Sequence, residues 1–373
     1  MTQALIVAAV ALISALVITP AVRRLALRFG VVDIPDDQRR VHTEPTPRWG
    51  GIAIFVSSVI AVAIGFWLLG MAPGSAEWLP FFGLFAVGLL VLVAGALDDK
   101  LQFSAGKQAA FLLACGIVVQ FLGVQISGIT KPWPVAPGES TWLALGWLAW
   151  PVTAIWIFVV TKTMDTIDGL DGLAAGIAAI SAATLGVMAL ASRPVQLPIA
   201  AVGAAVCGAS LGFLRHNFNP ARIFMGTGGA QFLGFTLACL SVVGAFKVAA
   251  AVTVGVPVLI FGLPIFDAFF VVIRRIRHKQ PIYKADKRHL HHRLLEKGLS
   301  HRQTVLVMYA LALVLCATAL WIFGRTHHGK QTTADVSAYS DGGVRHTARC
   351  HQDGSGDPRV ASLPRPGSSQ HRI

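Results

Sequence analysis

Ten long apolar runs constrain the fold of this chain more than any other feature of its sequence. Runs of mostly apolar residues fall at about 3–21, 51–70, 79–97, 108–126, 141–161, 171–192, 197–214, 224–245, 248–273 and 303–324. A helix of roughly 20 apolar residues spans the hydrocarbon layer of a membrane. The sequence therefore predicts an all-α, polytopic integral membrane protein with about ten transmembrane helices.

The composition agrees with this class. Of the 373 residues, 54% are hydrophobic and only 13% are charged, whereas soluble domains carry about one-quarter charged residues. Residues 1–324 are predicted to form one membrane-embedded domain. The segment 325–373 is rich in Ser, Gly, His and Arg and lacks apolar periodicity, so we expect a polar, disordered tail.

Basic residues predict the orientation of the chain. No basic residue precedes the first run, which favours a retained helix with its N-terminus outside the cell. Twenty-one Lys and Arg lie in the loops that then face the cytoplasm, at 22–50, 98–107, 162–170, 215–223 and 274–302, and the opposite loops hold three. The net charge of +13 therefore suits anionic membrane lipids or a phosphorylated substrate and does not indicate nucleic acid.

Acidic residues gather at the predicted cytoplasmic ends of these runs. Asp98 and Asp99 follow the third run, and Asp165, Asp168 and Asp171 follow the fifth at steps of three. Clustered carboxylates are typical of Mg²⁺ bound together with substrate phosphates.

Two other cytoplasmic loops carry groups that could bind an anion. Residues 289–293 read "HLHHR", and "GTGG" at 226–229 opens a run with unblocked backbone N–H groups. Each feature alone has a simpler interpretation: a solvated helix cap, a basic loop or a packing glycine. Together on one membrane face they predict a cytoplasmic phosphoryl-transfer site.

Six motifs in these loops resemble one enzyme family. They are "VDIPDDQRRVHTEPTPRWGGIAI" (32–54), "LDDKLQFSAGK" (97–107), "DTIDGLDGLAAG" (165–176), "NFNPARIFMG" (217–226), "LPIFD" (263–267) and "DKRHLHHRLL" (286–295). Over residues 1–324 the chain resembles the polyprenyl-phosphate N-acetylhexosamine-1-phosphate transferases of glycosyltransferase family 4. The "HLHHRLL" segment is closer to the branch that uses UDP-N-acetylglucosamine than to the phospho-N-acetylmuramoyl-pentapeptide branch, which stays as the alternative.

The resemblance implies a reaction and its participants. It implies a transfer of sugar 1-phosphate from a UDP-sugar to undecaprenyl phosphate with release of UMP, as a first step of cell-wall, teichoic-acid or lipopolysaccharide synthesis. It further implies Mg²⁺, with Mn²⁺ as an alternative, a multi-pass protein of the bacterial inner membrane with a cytoplasmic active site, and a homodimer as one assembly to test.

The resemblance also assigns roles to single residues. Asp98, Asp99 and Lys107 match groups placed at the lipid phosphate, and one of the two acids matches a proposed general base. Asp168 matches an acid of the central metal and diphosphate site. Binding of the nucleotide sugar is implied for Asp171, Phe224, His289, His291, His292 and Arg293.

The chain departs from the family at the metal site. The family usually has Asn at the positions of Lys162 and Asp165, and an Asp metal ligand at the position of Thr227. We hypothesise that Asp165, with Asp168 and Thr227, forms the metal site and that Asp165 supplies the carboxylate that Thr227 lacks. The alternatives are a catalytically impaired homologue and, from another class, a transporter or lipid carrier, which would place acids on broken helices near mid-membrane.

Overall fold

The protein is described by a computed structural model, which covers residues 1–33, 46–131, 135, 139–140, 142–244, 250–280 and 289–348. Parts of two motifs, at 34–45 and 286–288, and the tail residues 349–373 lie outside these ranges. The chain divides into two units, residues 1–327 and residues 328–373.

The described residues are mostly helical. The helices are α1 (Thr2–Arg28), α2 (Gly50–Leu68), α3 (Leu79–Leu101), α4 (Ala105–Val118), α5 (Ala149–Ile167), α6 (Leu173–Ala191), α7 (Leu197–Asn217), α8 (Gly226–Val243), α9 (Ala250–Ile260), α10 (Gly262–Arg277), α11 (Leu290–Glu296) and α12 (His301–Ala348). Two short antiparallel hairpins pair β1 (Val32–Asp33) with β2 (Thr46–Pro47) and β3 (Gly128–Thr130) with β4 (Trp142–Ala144). Within the described ranges nine helical segments are long and apolar enough to cross a membrane, so the all-α, polytopic class is confirmed.

The ninth predicted run is not one continuous span. It forms two helices, α9 and α10, that meet at Phe261. Pro264 has no N–H to donate to the carbonyl of Ile260 four residues earlier, so the helical ladder is interrupted there. The Ile260 oxygen instead accepts a hydrogen bond from the Ser181 hydroxyl at 3.3 Å. The apolar run predicted at 248–273 therefore contains two shorter helices in the described residues.

Helix α12 extends past the last predicted span. The backbone stays helical to Ala348, whereas disorder was predicted from residue 325. Lengthening an existing helix adds one hydrogen bond per residue without a new nucleation step, so it needs no apolar periodicity. The disorder expected of the tail at 325–373 stays a prediction.

Helix α8 lies at the centre of the membrane-embedded unit, packed against α2, α3, α5 and α6. Its first turn comes close to two neighbours because glycines face each other. A side chain on Gly228 would meet the backbone of Gly95 in α3, and one on Gly229 would meet Gly51 in α2. The small residues of "GTGG" therefore bring α2, α3 and α8 together at the end of the bundle where the acidic residues lie.

Two helices end later than the apolar runs predicted. Helix α3 continues to Leu101 and α5 to Ile167, so Asp98, Asp99 and Asp165 lie in the last turns of helices and not in the loops that follow. The C-terminal end of a helix disfavours a negative charge. These carboxylates consequently need cations or N–H donors from elsewhere in the fold.

Candidate active site

A cavity of about 700 Å³ opens among the ends of α3, α5 and α7, the start of α8 and the β1–β2 hairpin. We call it the main cavity. Seven of the residues selected from the sequence line it: Asp99, Asp165, Asp168, Asp171, Phe224, Thr227 and His292. Residues from four separate parts of the chain thus come together at one site, as the sequence predicted.

Asp99 is held between an arginine and a helix start. Its carboxylate accepts a hydrogen bond from Arg48 Nη1 at 3.2 Å and from the Thr227 backbone N–H, whose nitrogen lies 3.1 Å from Oδ2. Arg48 also pairs with Asp33 at 2.9 Å. The charge-assisted bonds offset the unfavourable position of Asp99 at a helix C-terminus.

The backbone fixes Arg48 beside this helix start. Phe224 N–H donates to the Pro47 carbonyl at 2.8 Å, and Gly50 N–H donates to the Phe224 carbonyl at 2.9 Å. The chain before α2 thus pairs with the chain before α8. The Thr227 N–H, one of the groups expected to bind an external anion, is already used by Asp99.

Asp165 has its own cation. Lys162, one turn earlier on α5, places its ammonium 2.6 Å from Asp165 Oδ2 and donates to Gln108 Oε1 at 2.7 Å. Gln231 Nε2 lies 3.4 Å from the same Asp165 oxygen. The extra acid and the extra lysine, both departures from the family pattern, therefore form one ion pair with no net charge.

The paired acids Asp98 and Asp99 face different spaces. Asp98 accepts hydrogen bonds from Phe103 N–H at 2.7 Å and Gln108 Nε2 at 2.9 Å. It lines a second cavity of about 230 Å³, the side cavity, formed by Ala94, Asp98, Phe103, Lys107, Gln108, Phe111 and Gln231. Lys107 therefore accompanies Asp98 and not Asp99, and the chain Asp98–Gln108–Lys162–Asp165 joins the two cavities.

Asp168 ends α5 at the wall of the main cavity. The pKa of its carboxyl is raised to about 7, first by burial and then by the negative charges of Asp165 and Asp99, while Arg48 acts in the opposite direction. A carboxyl so crowded by like charges is one that an added cation would stabilise in its ionised form.

Asp171 lies three residues farther along and is held by the segment after α7. Its Oδ2 accepts hydrogen bonds from Asn219 Nδ2 at 3.0 Å and from Ala221 N–H at 3.1 Å. The loop then turns through Gly172, whose N–H donates to Asn217 Oδ1 at 3.0 Å and whose φ of +83° favours glycine. The Asp168–Asp171 loop is thereby fixed at its far end.

We call residues 289–293 the histidine segment. The four residues of this segment for which the sequence predicted a role lie in different environments. His292 lines the main cavity, whereas His289 and His291 are buried and Arg293 is exposed, and none of these three lines either cavity. His289 Nδ1 lies 2.9 Å from Asp267 Oδ2. The pKa of His291 is lowered to about 3, first by burial and then by the neighbouring His292, so the His291 ring is neutral at pH 7.

The cavity residues fit one kind of metal site. Among the described residues no three His, Cys, Asp or Glu side chains are grouped so as to hold a metal ion by themselves. Mg²⁺ keeps several waters and takes one or two carboxylates together with substrate phosphates, so it needs no such group. Asp165, Asp168 and the hydroxyl of Thr227 offer oxygen donors along the cavity wall. These residues suit Mg²⁺ or Mn²⁺ arriving with a phosphorylated ligand.

Several cavity residues were not selected from the sequence. They are Arg23, Asp33, Arg48, Asn219, Arg222 and His301. Arg23 and Arg222 both line the cavity, and Arg23 Nε donates to the Arg222 carbonyl at 3.0 Å, so this part of the rim is basic. Four of these residues lie inside the motifs quoted above, and that position was the available signal for them: Asp33, Arg48, Asn219 and Arg222.

Comparisons with known proteins identify a family and several relatives. A model of the family "Glycosyl transferase family 4" matches residues 81–245, which include the aspartates and Thr227. The chain is 38% identical over 320 residues to a Bacillus subtilis protein named probable undecaprenyl-phosphate N-acetylglucosaminyl 1-phosphate transferase, covering 84% of this chain and 85% of that one.

Two further relatives are more distant. The decaprenyl-phosphate N-acetylglucosaminephosphotransferase of Mycobacterium tuberculosis is 31% identical over 78% of this chain and 75% of its own length. The undecaprenyl-phosphate alpha-N-acetylglucosaminyl 1-phosphate transferase of Yersinia pestis is 26% identical over 78% of this chain and 77% of its own length. With 38% identity over 84% of its length to one of these transferases, this chain belongs to glycosyl transferase family 4.

Proposed function

We propose that the protein transfers N-acetylglucosamine 1-phosphate from UDP-N-acetylglucosamine to undecaprenyl phosphate and releases UMP. The observation that carries the proposal is the main cavity, where aspartates from α3, α5 and the loop after α5 meet Phe224 and His292. The names of the relatives supply the substrates. A volume of about 700 Å³ lies within the usual range of ligand sites.

The reaction is a phosphoryl transfer. An oxygen of the lipid phosphate attacks the β-phosphorus of the nucleotide sugar and forms a new P–O–P link. The bond from that phosphorus to the bridging oxygen breaks, and UMP leaves with the electron pair. Positioning and charge stabilisation provide most of the catalysis in such reactions.

The two cavities suit the two substrates. The main cavity has Asp171 and Phe224 for the nucleotide and a basic rim at Arg23 and Arg222 for phosphate oxygens. The side cavity combines the Lys107 ammonium with three apolar side chains, which suits the phosphate end of a lipid. The lipid phosphate would then reach the donor past Asp98 and Gln108.

The protein side chains can hold the cation that this reaction uses. Asp165, Asp168 and Thr227 would bind Mg²⁺, which when present neutralises charge on the diphosphate oxygens. Asp99 keeps Arg48 and the start of α8 in place beside them. Because a phosphate monoester is already mostly ionised near pH 7, with its second pKa about 6, the contribution of Asp99 is mainly positional.

We further propose that the site faces the cytoplasm of a bacterial inner membrane, on the basis of the basic residues in the loops that build it. Single cysteines introduced at Arg40 and Arg288 should resist an impermeant thiol reagent added to intact cells, and one at Pro137 should react. Labelling of the first two positions from outside would reverse the orientation.

Turnover by the purified protein tests the activity. With UDP-N-acetylglucosamine, undecaprenyl phosphate and Mg²⁺, we expect UMP, and Asp168→Asn should abolish its release. UDP-N-acetylmuramoyl-pentapeptide should give none. Binding of the nucleotide sugar with no UMP at any lipid concentration would favour a carrier or an impaired homologue over an enzyme.

A further inference from the structure

The histidine segment lies behind the aspartate loop, and only part of it reaches the main cavity. Asp267 on α10 holds the start of α11: its Oδ1 accepts the Leu290 N–H at 2.7 Å, and its Oδ2 lies 2.9 Å from His289 Nδ1. Both Asp267 and His289 are buried. The position of α11 is therefore set by α10 without any contribution from a ligand.

The next ring in this segment is placed against Gly169. His291 is only 1% exposed, and a Cβ built on Gly169 would lie 2.7 Å from its Nε2. Real Cβ atoms essentially never come within 3.0 Å of such a neighbour, so no side chain fits at Gly169 while the ring stays where it is. Gly169 also lines the main cavity, between Asp168 and Leu170.

Neighbouring rings fix the His291 ring in this position. It stacks on His289 with a ring separation of 5.7 Å and an interplanar angle of 8°, and the His292 ring lies 4.3 Å away at an angle of 44°. A ring that is buried, neutral and packed in this way is not available to a phosphate in the cavity. His292, by contrast, lines the cavity itself.

We propose that His291 is a positioning residue that supports the Asp168–Asp171 loop from behind through its contact with Gly169. His292 is then the residue of the segment that can reach a ligand. The hydrogen bonds of Asp267 transmit the position of α10 to the loop by way of α11. This assignment differs from the substrate-binding role that the family resemblance implies for His291.

A suppression experiment tests the contact. Gly169→Ala should displace the loop and lower kcat by about a hundredfold, the cost of misplacing a reacting group by about 1 Å, with little change in either KM. Removing the opposing ring makes room for the new methyl group, so Gly169→Ala with His291→Ala should recover at least about tenfold over Gly169→Ala alone. The matched control, Gly169→Ala with His292→Ala, should recover nothing.

A second readout separates this proposal from the reaction on which its kinetics depend. The thermal unfolding midpoint should fall in Gly169→Ala and rise again in the double variant with His291→Ala. If the unaltered protein shows no transferase activity, the proposed function fails, and the midpoints still decide whether the contact exists. A double variant no better than Gly169→Ala in both measurements, or equal recovery in the His292 control, would overturn the proposal.

Discussion

The ion pair of Lys162 and Asp165 offers a quantitative test of how charge is compensated in the site. Lys162→Met keeps the length of the side chain and removes its charge, so Asp165 keeps only the weak contact with Gln231 at 3.4 Å among its described partners. Asp165→Asn leaves the lysine uncompensated. Each change alone leaves one charge unpaired near the buried Asp168, whereas the double change leaves none.

The size of the coupling follows from the contacts that are lost. A hydrogen bond to a charged group contributes about 1.5–3 kcal/mol, and fully buried pairs cost about 3–5 kcal/mol to break. Because 35% of the Lys162 side chain is exposed, we expect the lower part of this range, about 1–2 kcal/mol of coupling. That corresponds to roughly 5- to 30-fold in kcat/KM, where 1.4 kcal/mol is tenfold.

The assay is a double-mutant cycle in kcat/KM for UMP release, with thermal unfolding midpoints measured on the same four proteins. The double variant should be clearly more active than the product of the two single effects predicts. Strict additivity would refute the reasoning, since residues whose charged atoms lie 2.6 Å apart must influence each other if the pair exists.

A substitution at Thr227 extends this test to a third residue. If Asp165 supplies the carboxylate missing at Thr227, Thr227→Asp should restore activity to Asp165→Asn, because both positions line the main cavity. Lys162 would still lack its partner, so adding Lys162→Asn should improve the recovery further. No gain from Thr227→Asp in either background would reject the hypothesis that the carboxylate has moved.

The remaining predictions concern single features of the fold and site. Asp99→Asn removes the charge that holds Arg48 and should lower turnover by about a hundredfold, the cost of misplacing a reacting group by about 1 Å, measured as UMP release at saturating substrates. The carboxyl of Asp168 keeps its proton up to about pH 7 in the folded protein, whereas its ordinary pKa is 3.8, so stability falls as pH rises between these two values and is level above them; in EDTA, Asp168→Asn should therefore raise the unfolding midpoint more at pH 8 than at pH 5. Gly228→Ala should lower the midpoint, since its Cβ would meet the α3 backbone, and Gly255→Ala, which has open space, should not. Ending the chain after Gly324 should leave kcat unchanged. A loss of activity in the truncated protein at equal expression would show that the tail contributes to the site.

The sequence predicted the membrane class because each spanning helix must satisfy its own backbone hydrogen bonds, so length and apolar composition are sufficient to locate it. It did not predict the interruption at Phe261, where a missing N–H at Pro264 acts together with a hydroxyl from α6. A proline in an apolar run can be tolerated or can break the helix, and the outcome depends on neighbours that are distant in sequence.

The sequence indicated which residues belong to the candidate site better than it indicated which of them contact each other. The aspartates came together because Asp99, Asp165 and Asp168 lie at the ends of α3 and α5, and Asp171 follows in the loop after α5. The separation of Asp98 from Asp99 was not predictable, because adjacent residues on a helix point about 100° apart and either could have faced the main cavity. Nor did the residue types reveal that Lys162 pairs with Asp165, or that His291 is buried while His292 is not.

The fate of the β-phosphorus tests the proposed reaction most directly. UDP-N-acetylglucosamine carrying ³²P only at the β-position is incubated with the purified protein, undecaprenyl phosphate and Mg²⁺, and lipid and aqueous products are separated. Transfer of sugar 1-phosphate predicts that the label moves into the lipid, with unlabelled UMP formed in equal amount, and that Asp99→Asn prevents both. Label that remains in the aqueous phase as UDP while the sugar appears on the lipid would contradict this reaction.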